Sequence, residues 1–422
     1  MADAGETRVP VRLEGKFKAM VFCWVLGLGS LVAWNSILTI GDYYYKVFPH
    51  YHPSRVLTVV YQPFAIGTMA ILVYRESKVN TRKRNIVGYY LFTLSTLFLI
   101  VLDLATSGKG GVGLYFGICV LVACFGVANA QVQGGMVGDL SFMCPEFMQS
   151  YFAGSAASGA LTSALRLMTK AAFDKTHDGL RKGAMLFLAI STFFELICII
   201  LYATWFAKIP VVKSCRSKAA LEGCKSVSAD LAAAGIQRQV HHSNGTFSDE
   251  CSKDDRLSNK QLLFQNIDYA IGLYLTHVLT LTIFPGFLYE NTGTHQLRSW
   301  YSLVLIAIYN VWDFISQYIP LISWLKLESR KGLMLATLAR FFFVPAFYFT
   351  AKYGDQGWMI MLVSFLGLTH GYLTVSVMTV APKGYKGPEQ NTLGNLLVLF
   401  LLGGTFSGVA LGWLWMIGNG KF

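Results

Sequence analysis

The sequence predicts an all-α polytopic membrane protein with eleven transmembrane helices, arranged as one bundle of six and one of five. The chain has 422 residues, of which 54% are hydrophobic and only 14% are charged, whereas soluble domains carry about 25% charged residues. Apolar runs of about 20 residues, long enough to cross a bilayer as a helix, recur along the whole chain. Basic residues collect in loops on alternate sides of these runs, which indicates membrane orientation rather than nucleic-acid binding.

The predicted spans follow one another from the first apolar run onward. They cover residues 17–41, 56–74, 85–103, 112–138, 149–173, 184–206, 266–287, 300–323, 333–351, 357–381 and 392–417. The first run is long and aromatic-rich, and no small-residue cleavage site follows it before the next loop. We therefore interpret it as a transmembrane helix and not as a cleavable signal peptide.

A polar stretch divides the spans into two groups. The predicted segments are a cytoplasmic N-terminal segment at 1–16, a six-helix bundle at 17–206, a largely flexible cytoplasmic linker at 207–265, a five-helix bundle at 266–417 and an extracellular tail at 418–422. The linker is rich in Ser, Ala and charged residues without a sustained apolar pattern, which predicts a flexible loop or a short surface helix. Two bundles joined in this way are typical of transporters whose halves rock about a central site.

The basic residues predict the orientation. With the N-terminus in the cytoplasm, 23 of the 35 Lys and Arg residues fall in cytoplasmic segments, if Lys18 at the start of span one is included, and 9 fall outside. This asymmetry favours a cytoplasmic N-terminus, and the odd helix count then places the C-terminus outside. No cysteine falls in an outside segment, so no disulfide is expected. The plasma membrane is the first choice of location and the vacuolar membrane the second, and nothing in the sequence demands more than a monomer.

Catalytic and metal-binding signatures are missing from the sequence. The chain has no His-Glu-x-x-His, no Gly-x-Ser-x-Gly and no Walker-type phosphate loop. Cys215, Cys224, His241, His242 and Cys251 share the linker, but their spacing matches no compact zinc pattern. We therefore predict no enzyme activity, no cofactor and no metal.

Span eight carries the most informative polar residues. Asn310, Asp313 and Gln317 follow one another at i, i+3 and i+7 and so share one face of a helix. A charge at the centre of a bilayer costs about 2.5–3.5 kcal/mol on insertion scales. Because lipid offers no hydrogen-bond partner, this face is expected to point into the bundle. The pattern suits a site that binds a small polar solute at mid-membrane.

Other ionisable residues inside the spans each allow two interpretations. Arg340 and Asp313 form either a structural or gating ion pair, or parts of a binding site. Asp313, Glu195 and His370 are candidate proton carriers. The other interpretation of Glu195 and His370 is a buried side chain with satisfied hydrogen bonds, which is the more common role of such residues.

Six spans also carry extended motifs. These are LGLGSLVAWNSILT in span one, ANAQVQGG in span four, TIFPG in span seven, NVWDFISQYIP in span eight, ARFFFVP in span nine and THGYLTVSVMTVAPKGYKGPE in span ten and its loop. Together they resemble the equilibrative nucleoside transporter family, and most of all its plant branch. The resemblance extends over essentially all spans and fails only in the linker and the termini.

The resemblance implies an eleven-helix fold related to the major facilitator architecture, which moves nucleosides by alternating access as a facilitator or a proton symporter. Trp34 matches the family's span-one tryptophan that borders the substrate, and Leu38 follows one turn later. Gln133 matches the span-four glutamine that hydrogen-bonds the base. Gly154 matches a small residue of span five tied to transport, and Asp313 matches the aspartate that engages the ribose.

Span eight departs from the family pattern at one position. Gln317 stands where the pattern Asp-x-x-x-Arg has its arginine, which removes a permanent charge and a bidentate donor. Either Arg340 or another donor compensates, or binding is weaker, or the residue was altered by design. Asn310 and Gln317 are expected to assist Asp313 in holding the sugar.

Two other functions stay open at this point. The chain can be a carrier of free nucleobases or other small heterocycles, or a membrane receptor that binds a nucleoside without moving it. The expected partners are a nucleoside, the lipid bilayer and, if transport is coupled, protons.

Overall fold

Helices make up all the regular secondary structure of the residues that the structure describes. The structure is a computed structural model and describes residues 14–76, 79–173, 178–223, 231–232, 234–236, 257–290, 300–353 and 356–416. The predicted C-terminal tail, most of the predicted N-terminal segment, and Cys224, His241, His242 and Cys251 of the linker lie outside these ranges.

Each predicted span corresponds to a long helix, which we number α1 to α11. The helices are α1 (Lys16–Thr39), α2 (Pro53–Tyr74), α3 (Thr81–Thr106), α4 (Val112–Ser141), α5 (Pro145–Phe173), α6 (Gly179–Ile200), α7 (Ile267–Ile283), α8 (Tyr301–Ser316), α9 (Arg330–Ala339 with Phe343–Tyr353), α10 (Gln356–Val380) and α11 (Gly387–Gly412). The all-α prediction is therefore confirmed.

The number of membrane crossings that composition indicates is smaller than the number of long helices. In the part of the chain that the structure describes, ten helices are long and apolar enough to cross a membrane. The exception is α5, a helix of 29 residues that is rich in Gly, Ala and Ser. It packs between α1 and α8, where small residues permit close packing. The predicted count of eleven spans is therefore not confirmed and stays a prediction.

Two of the predicted spans contain breaks that prolines explain. Span eight was predicted to reach residue 323, but α8 ends at Ser316 and is followed by 3₁₀ turns at Ile319–Leu321 and Ser323–Leu325. Pro320 has no N–H to continue the helical hydrogen bonds. In α9 a 3₁₀ turn at Arg340–Phe342 separates the two helical parts. Pro345 cannot donate back to Phe341, so the α-helical hydrogen bonds are interrupted there.

Close helix crossings occur at matching places in the two halves. A Cβ atom added to Gly154 of α5 would lie 1.9 Å from the carbonyl oxygen of Trp24 in α1. In the second half, a Cβ atom on Gly404 or Gly408 of α11 would lie 2.4 Å or 2.5 Å from carbonyl oxygens of α7. Glycine is required at such crossings because the two backbones touch. The pair α1–α5 thus has its counterpart in α7–α11, six helices later.

The beginning of the predicted linker is an ordered helix, Pro210–Leu221. Its Arg216 forms an ion pair with Asp139 of α4, and both side chains are fully buried. The Arg216 guanidinium also lies 5.3 Å from the centre of the Phe206 ring. Removing one partner of such a buried pair leaves an uncompensated charge, so this helix is firmly attached to the first half. The domain boundaries themselves stay a prediction.

Candidate functional site: a central cavity between the halves

A central cavity of about 200 Å³ lies between the two halves. Helices α1, α2, α4 and α5 line it from the first half, and α7, α8, α10 and α11 line it from the second. Among the described residues, the ionisable groups of its wall are Asp313, two histidines and two tyrosines, and neither Lys nor Arg contributes to the wall. The cavity therefore suits a small polar ligand without a large negative charge.

Stacked aromatic rings form two opposing parts of the wall. On the first half, Trp34 of α1 stacks on Tyr61 of α2 with ring centres 4.0 Å apart and planes inclined by 17°. On the second half, Phe284 stacks on Tyr309 of α8 at 4.1 Å and 24°. Aromatic faces of this kind bind flat, partly apolar rings by stacking. The cavity can thus hold a planar heterocycle between its two halves.

The first half presents amide groups to the cavity. Asn129 Nδ2 donates to Gln133 Oε1 at 3.1 Å within α4. This bond fixes the Gln133 amide with its oxygen occupied, so its Nε2 group is free to donate to a ligand. On α1, Asn35 Nδ2 donates to Ser158 Oγ of α5 at 2.6 Å. Gln133 is therefore a hydrogen-bond donor on the cavity wall.

The predicted face of α8 points into the cavity. Asn310, Asp313 and Gln317 all line the cavity wall, whereas Val311 and Trp312 on the other side of the helix are exposed. Asn310 Nδ2 donates to Ser163 Oγ of α5 at 2.8 Å. Asp313 Oδ1 and Gln317 Oε1 are buried and accept no hydrogen bond from the described residues. Unpaired buried acceptors of this kind call for a donor, which a ligand with hydroxyl or amine groups can supply.

Arg340 does not take the place of the missing arginine of span eight. Its guanidinium donates to Thr369 Oγ1 at 3.0 Å, to the Thr276 carbonyl oxygen at 3.0 Å and to Thr280 Oγ1 at 2.8 Å. Among the described residues it forms no ion pair with Asp313, and it does not line the cavity. The direct ion pair considered from the sequence is therefore not present in this structure.

The cavity differs at its two ends. At the end with the predicted cytoplasmic loops, hydrogen bonds join the halves: Gln149 Nε2 donates to the Gln317 carbonyl oxygen at 2.7 Å, and Arg84 Nη1 donates to Asn395 Oδ1 at 2.7 Å. Toward the other end, a smaller cavity shares Asn35 and Leu38 with the central one. Hydrogen bonds thus join the halves on the predicted cytoplasmic side of the central cavity, and a second cavity lies beside it toward the predicted outside.

The cavity brings together most, but not all, of the candidate residues. Trp34, Leu38, Gln133, Asn310, Asp313, Gln317 and His370 line it. Gly154 lies at the crossing of α5 with α1. Glu195 is fully buried between α6 and α3, where the Thr96 hydroxyl donates to its carboxylate at 3.1 Å. Sequence reasoning missed the cavity residues Tyr61 and His277, although a single histidine in an apolar span was a visible signal for the latter.

Comparison with known proteins decides the family. A family profile described as nucleoside transporter matches residues 118–417. The chain belongs to the nucleoside transporter family. Among similar proteins of Arabidopsis thaliana, this transporter is 68% identical to equilibrative nucleotide transporter 3 over 99% of both chains. It is also 65% identical to equilibrative nucleotide transporter 6, again over 99% of both chains. The predicted plant branch is confirmed, and these relatives are named as transporters, not as enzymes.

Solved structures support the major facilitator fold of the transporter. The proton:xylose symporter XylE bound to 6-bromo-6-deoxy-D-glucose matches with a TM-score of 0.61, at 11% identity over 95% of this chain and 88% of that chain. The human organic anion transporter MFSD10 matches with a TM-score of 0.56, at 13% identity over 95% of this chain and 94% of that chain. At such low identity the likeness concerns the fold alone, and it confirms the predicted relation to the major facilitator architecture.

Proposed function

We propose that the central cavity binds a nucleoside such as adenosine or uridine, and that the two halves carry it across the membrane by alternating access. The observation that carries this proposal is the cavity itself, whose wall comes from both halves and contains an aromatic pair from each half together with polar groups. Hydrogen bonds between the halves at one end of the cavity and a second cavity toward the other end fit a carrier whose halves rock about a central site.

The proposed roles follow the chemistry of the wall. Trp34 and Leu38 border the base, and Gln133 donates a hydrogen bond to it through Nε2. Asp313 accepts hydrogen bonds from ribose hydroxyls, and Asn310 and Gln317 complete that end of the site. Gly154 lies outside the cavity and keeps α1 and α5 close together, which supports the position of Trp34.

The charge of the wall favours a nucleoside over a nucleotide. The relatives are named as nucleotide transporters, whereas the family profile is described as nucleoside transporter. Phosphate groups are normally bound by Arg, Lys or backbone N–H groups, and in the described part of the chain no Lys or Arg lines the cavity. A phosphate near Asp313 would also be repelled by the negative charge of its carboxylate. We therefore propose an uncharged nucleoside as the substrate.

Competition for uptake tests the substrate class. In proteoliposomes, unlabelled uridine is expected to inhibit uptake of labelled adenosine, and adenine is expected to inhibit about 10-fold more weakly because it lacks the ribose hydroxyls. AMP is expected not to inhibit. Inhibition by AMP as strong as by adenosine would contradict the nucleoside proposal, and stronger inhibition by adenine would favour the nucleobase alternative.

Proton coupling is proposed through Asp313, with His370 as a second group on the wall. Asp313 and His370 both line the cavity, so a proton bound to either side chain would lie next to the bound ligand. The third candidate, Glu195, lies outside the cavity wall. A pH gradient imposed across proteoliposomes tests the coupling: symport requires faster adenosine uptake when the side of entry is more acidic, and a facilitator is indifferent to the gradient.

The proposed orientation places Cys144, in the loop between α4 and α5, in the cytoplasm. The neighbouring Cys215 thiol and, with a smaller effect, Lys16 lower the Cys144 pKa to about 7, despite opposing effects of burial and Glu146. The Cys215 pKa is raised, chiefly by Cys144 and by burial. Because the thiolate reacts with maleimide, Cys144 is expected to react readily at pH 7 and above, and more slowly as the pH falls below 7.

Labelling with a membrane-impermeant maleimide tests this orientation in a variant that keeps only Cys144 and Cys215. Sealed cells are expected to remain unlabelled, and inverted vesicles are expected to be labelled. Cys215→Ala removes the effect of the neighbouring thiol, which should raise the Cys144 pKa and slow labelling at pH 7 about fivefold. Labelling of intact cells would contradict the proposed orientation.

We propose the plasma membrane as the location of the protein, which fluorescence of a tagged chain in plant cells tests. We also propose that the protein is a monomer, which light scattering in detergent tests.

A further inference from the structure

Two histidines meet on the second-half wall of the cavity. His277 of α7 and His370 of α10 contact edge to face, with ring centres 4.8 Å apart and planes inclined by 69°. Both line the cavity. The roles above leave His277 unused and assign His370 only to proton coupling. The hydrogen bonds around the two rings determine what they present to a ligand.

The tautomer of His277 follows from its backbone contact. Its Nδ1 lies 2.9 Å from the carbonyl oxygen of Leu273, one turn earlier in α7. A carbonyl oxygen only accepts, so Nδ1 carries the hydrogen and donates. In the neutral ring Nε2 is then a bare acceptor. This nitrogen makes no hydrogen bond to any residue that the structure describes.

The tautomer of His370 follows from Thr280, which has three hydrogen-bond neighbours. Thr280 Oγ1 donates its single hydrogen to the Thr276 carbonyl oxygen at 2.8 Å. It accepts from Arg340 Nη2 at 2.8 Å, because a guanidinium can only donate. The third neighbour, His370 Nδ1 at 3.0 Å, must therefore donate to Thr280. His370 consequently also keeps its hydrogen on Nδ1 and presents Nε2 as an acceptor.

The two rings together thus form an acceptor pair at one end of the cavity. His370 is followed by Gly371, and a Cβ atom there would lie 2.7 Å from Asp313 Oδ1. The histidines therefore lie at the Asp313 end, which the proposed function assigns to the sugar. The carboxylate of Asp313 suits the vicinal 2′- and 3′-hydroxyls, since it has two accepting oxygens. The remaining sugar donor is the 5′-hydroxyl.

We propose that His277 and His370 accept a hydrogen bond from the 5′-hydroxyl of the bound nucleoside and so determine the preference for an unmodified 5′ position. Thr280 and Arg340 are positioning residues, because they hold His370 in the tautomer that can accept. This proposal rests on the proposed function and adds two specificity-determining residues to it. It explains why Arg340 is buried near the cavity without lining it.

The test compares adenosine with 5′-deoxyadenosine in proteoliposomes containing the full chain. The wild type is expected to have a KM for 5′-deoxyadenosine about 10-fold above that for adenosine, because the acceptors lose their donor. In the double variant His277→Phe with His370→Phe, the adenosine KM should rise to that of 5′-deoxyadenosine. Thr280→Val should lower the ratio of the two KM values about threefold, and Thr280→Ser should keep the wild-type ratio.

Thr282→Val is the matched control on the same helix. The Thr282 hydroxyl bonds the carbonyl oxygens of Val278 and Gly408 and no histidine, so this variant should keep the wild-type ratio. General damage to folding changes the rates for both substrates and leaves the ratio unchanged. Two results would overturn this inference alone, provided that the wild type transports adenosine. One is a ratio of the two KM values near one in the wild type. The other is a wild-type ratio that is unchanged in both the double variant and Thr280→Val. Absence of adenosine transport in the wild type would overturn the proposed function as well.

Discussion

Replacing Asp313 with asparagine is expected to reduce adenosine uptake about 100-fold, because hydrogen bonds between hydroxyl groups and a carboxylate contribute about 1.5–3 kcal/mol each. The substitution keeps the shape of the side chain but exchanges one accepting oxygen for a donating amide group. Asp313 Oδ1 is already buried without a partner, so the folded chain loses no internal hydrogen bond. The loss should therefore appear in transport, with the melting temperature in detergent close to that of the wild type.

Glu195→Gln is the matched control for this prediction. Glu195 is also an acid within a span, but it lies between α6 and α3 and bonds the Thr96 hydroxyl. The amide oxygen of glutamine can accept the same hydrogen bond. Uptake by this variant is expected to stay near the wild-type rate. Equal losses in both variants would mean that removing any buried acid impairs the protein, and unaffected uptake in Asp313→Asn would make this aspartate structural.

Replacing Gly154 with alanine is expected to have the second large effect, through packing rather than through binding. The added methyl group would lie 1.9 Å from the Trp24 carbonyl oxygen and 3.0 Å from the Leu28 nitrogen. Both contacts are backbone atoms of α1, so no side chain can rotate away and the helices must separate. Overpacking usually costs about 1–3 kcal/mol. We expect the melting temperature to fall by about 5 °C and uptake to fall with it, since Trp34 lies on the displaced helix.

Gly67→Ala provides the comparison within the membrane. Gly67 lies in α2, and apart from its chain neighbours and the nearby backbone of its own helix no atom lies within 4 Å of the position that its Cβ would occupy. Alanine is also a better helix former than glycine. This variant should therefore match or exceed the wild type in melting temperature and transport. A Gly154→Ala variant with unchanged stability would show that α1 and α5 are not packed as described.

Hydrophobicity alone was sufficient to find the helices, because the bilayer requires long apolar runs. It was not sufficient to find their ends. The early end of α8 and the break in α9 depend on Pro320 and Pro345, whose effect is local and does not change the mean apolarity of a span. In α5 the mean apolarity is too low to indicate a membrane span. This helix is enclosed by α1 and α8 and is rich in small residues.

The polar face of α8 was predictable because three polar residues at helical spacing need a common partner. The rest of the site was not, since a single polar residue looks the same in sequence whether it faces a cavity or a neighbouring helix. Arg340 bonds threonines of α7 and α10, and Glu195 bonds Thr96. His277 lines the cavity. Only the relative position of helices distant in sequence separates these cases.

The repeat between the halves was also invisible in sequence. The crossings α1–α5 and α7–α11 use glycines in the same structural role, but the residues that flank these glycines differ. Small residues spaced four apart indicated close packing in both places. They gave no indication of which helices would meet.

Counterflow of adenosine is the most direct test of the central claim, that one cavity both binds a nucleoside and moves it. Proteoliposomes are loaded with unlabelled adenosine and diluted into a trace of labelled adenosine without any ion gradient. A carrier that alternates access should accumulate label transiently above the outside concentration, and Asp313→Asn should abolish this overshoot. Saturable adenosine binding by the wild type without any overshoot would contradict transport and identify the protein as a nucleoside receptor.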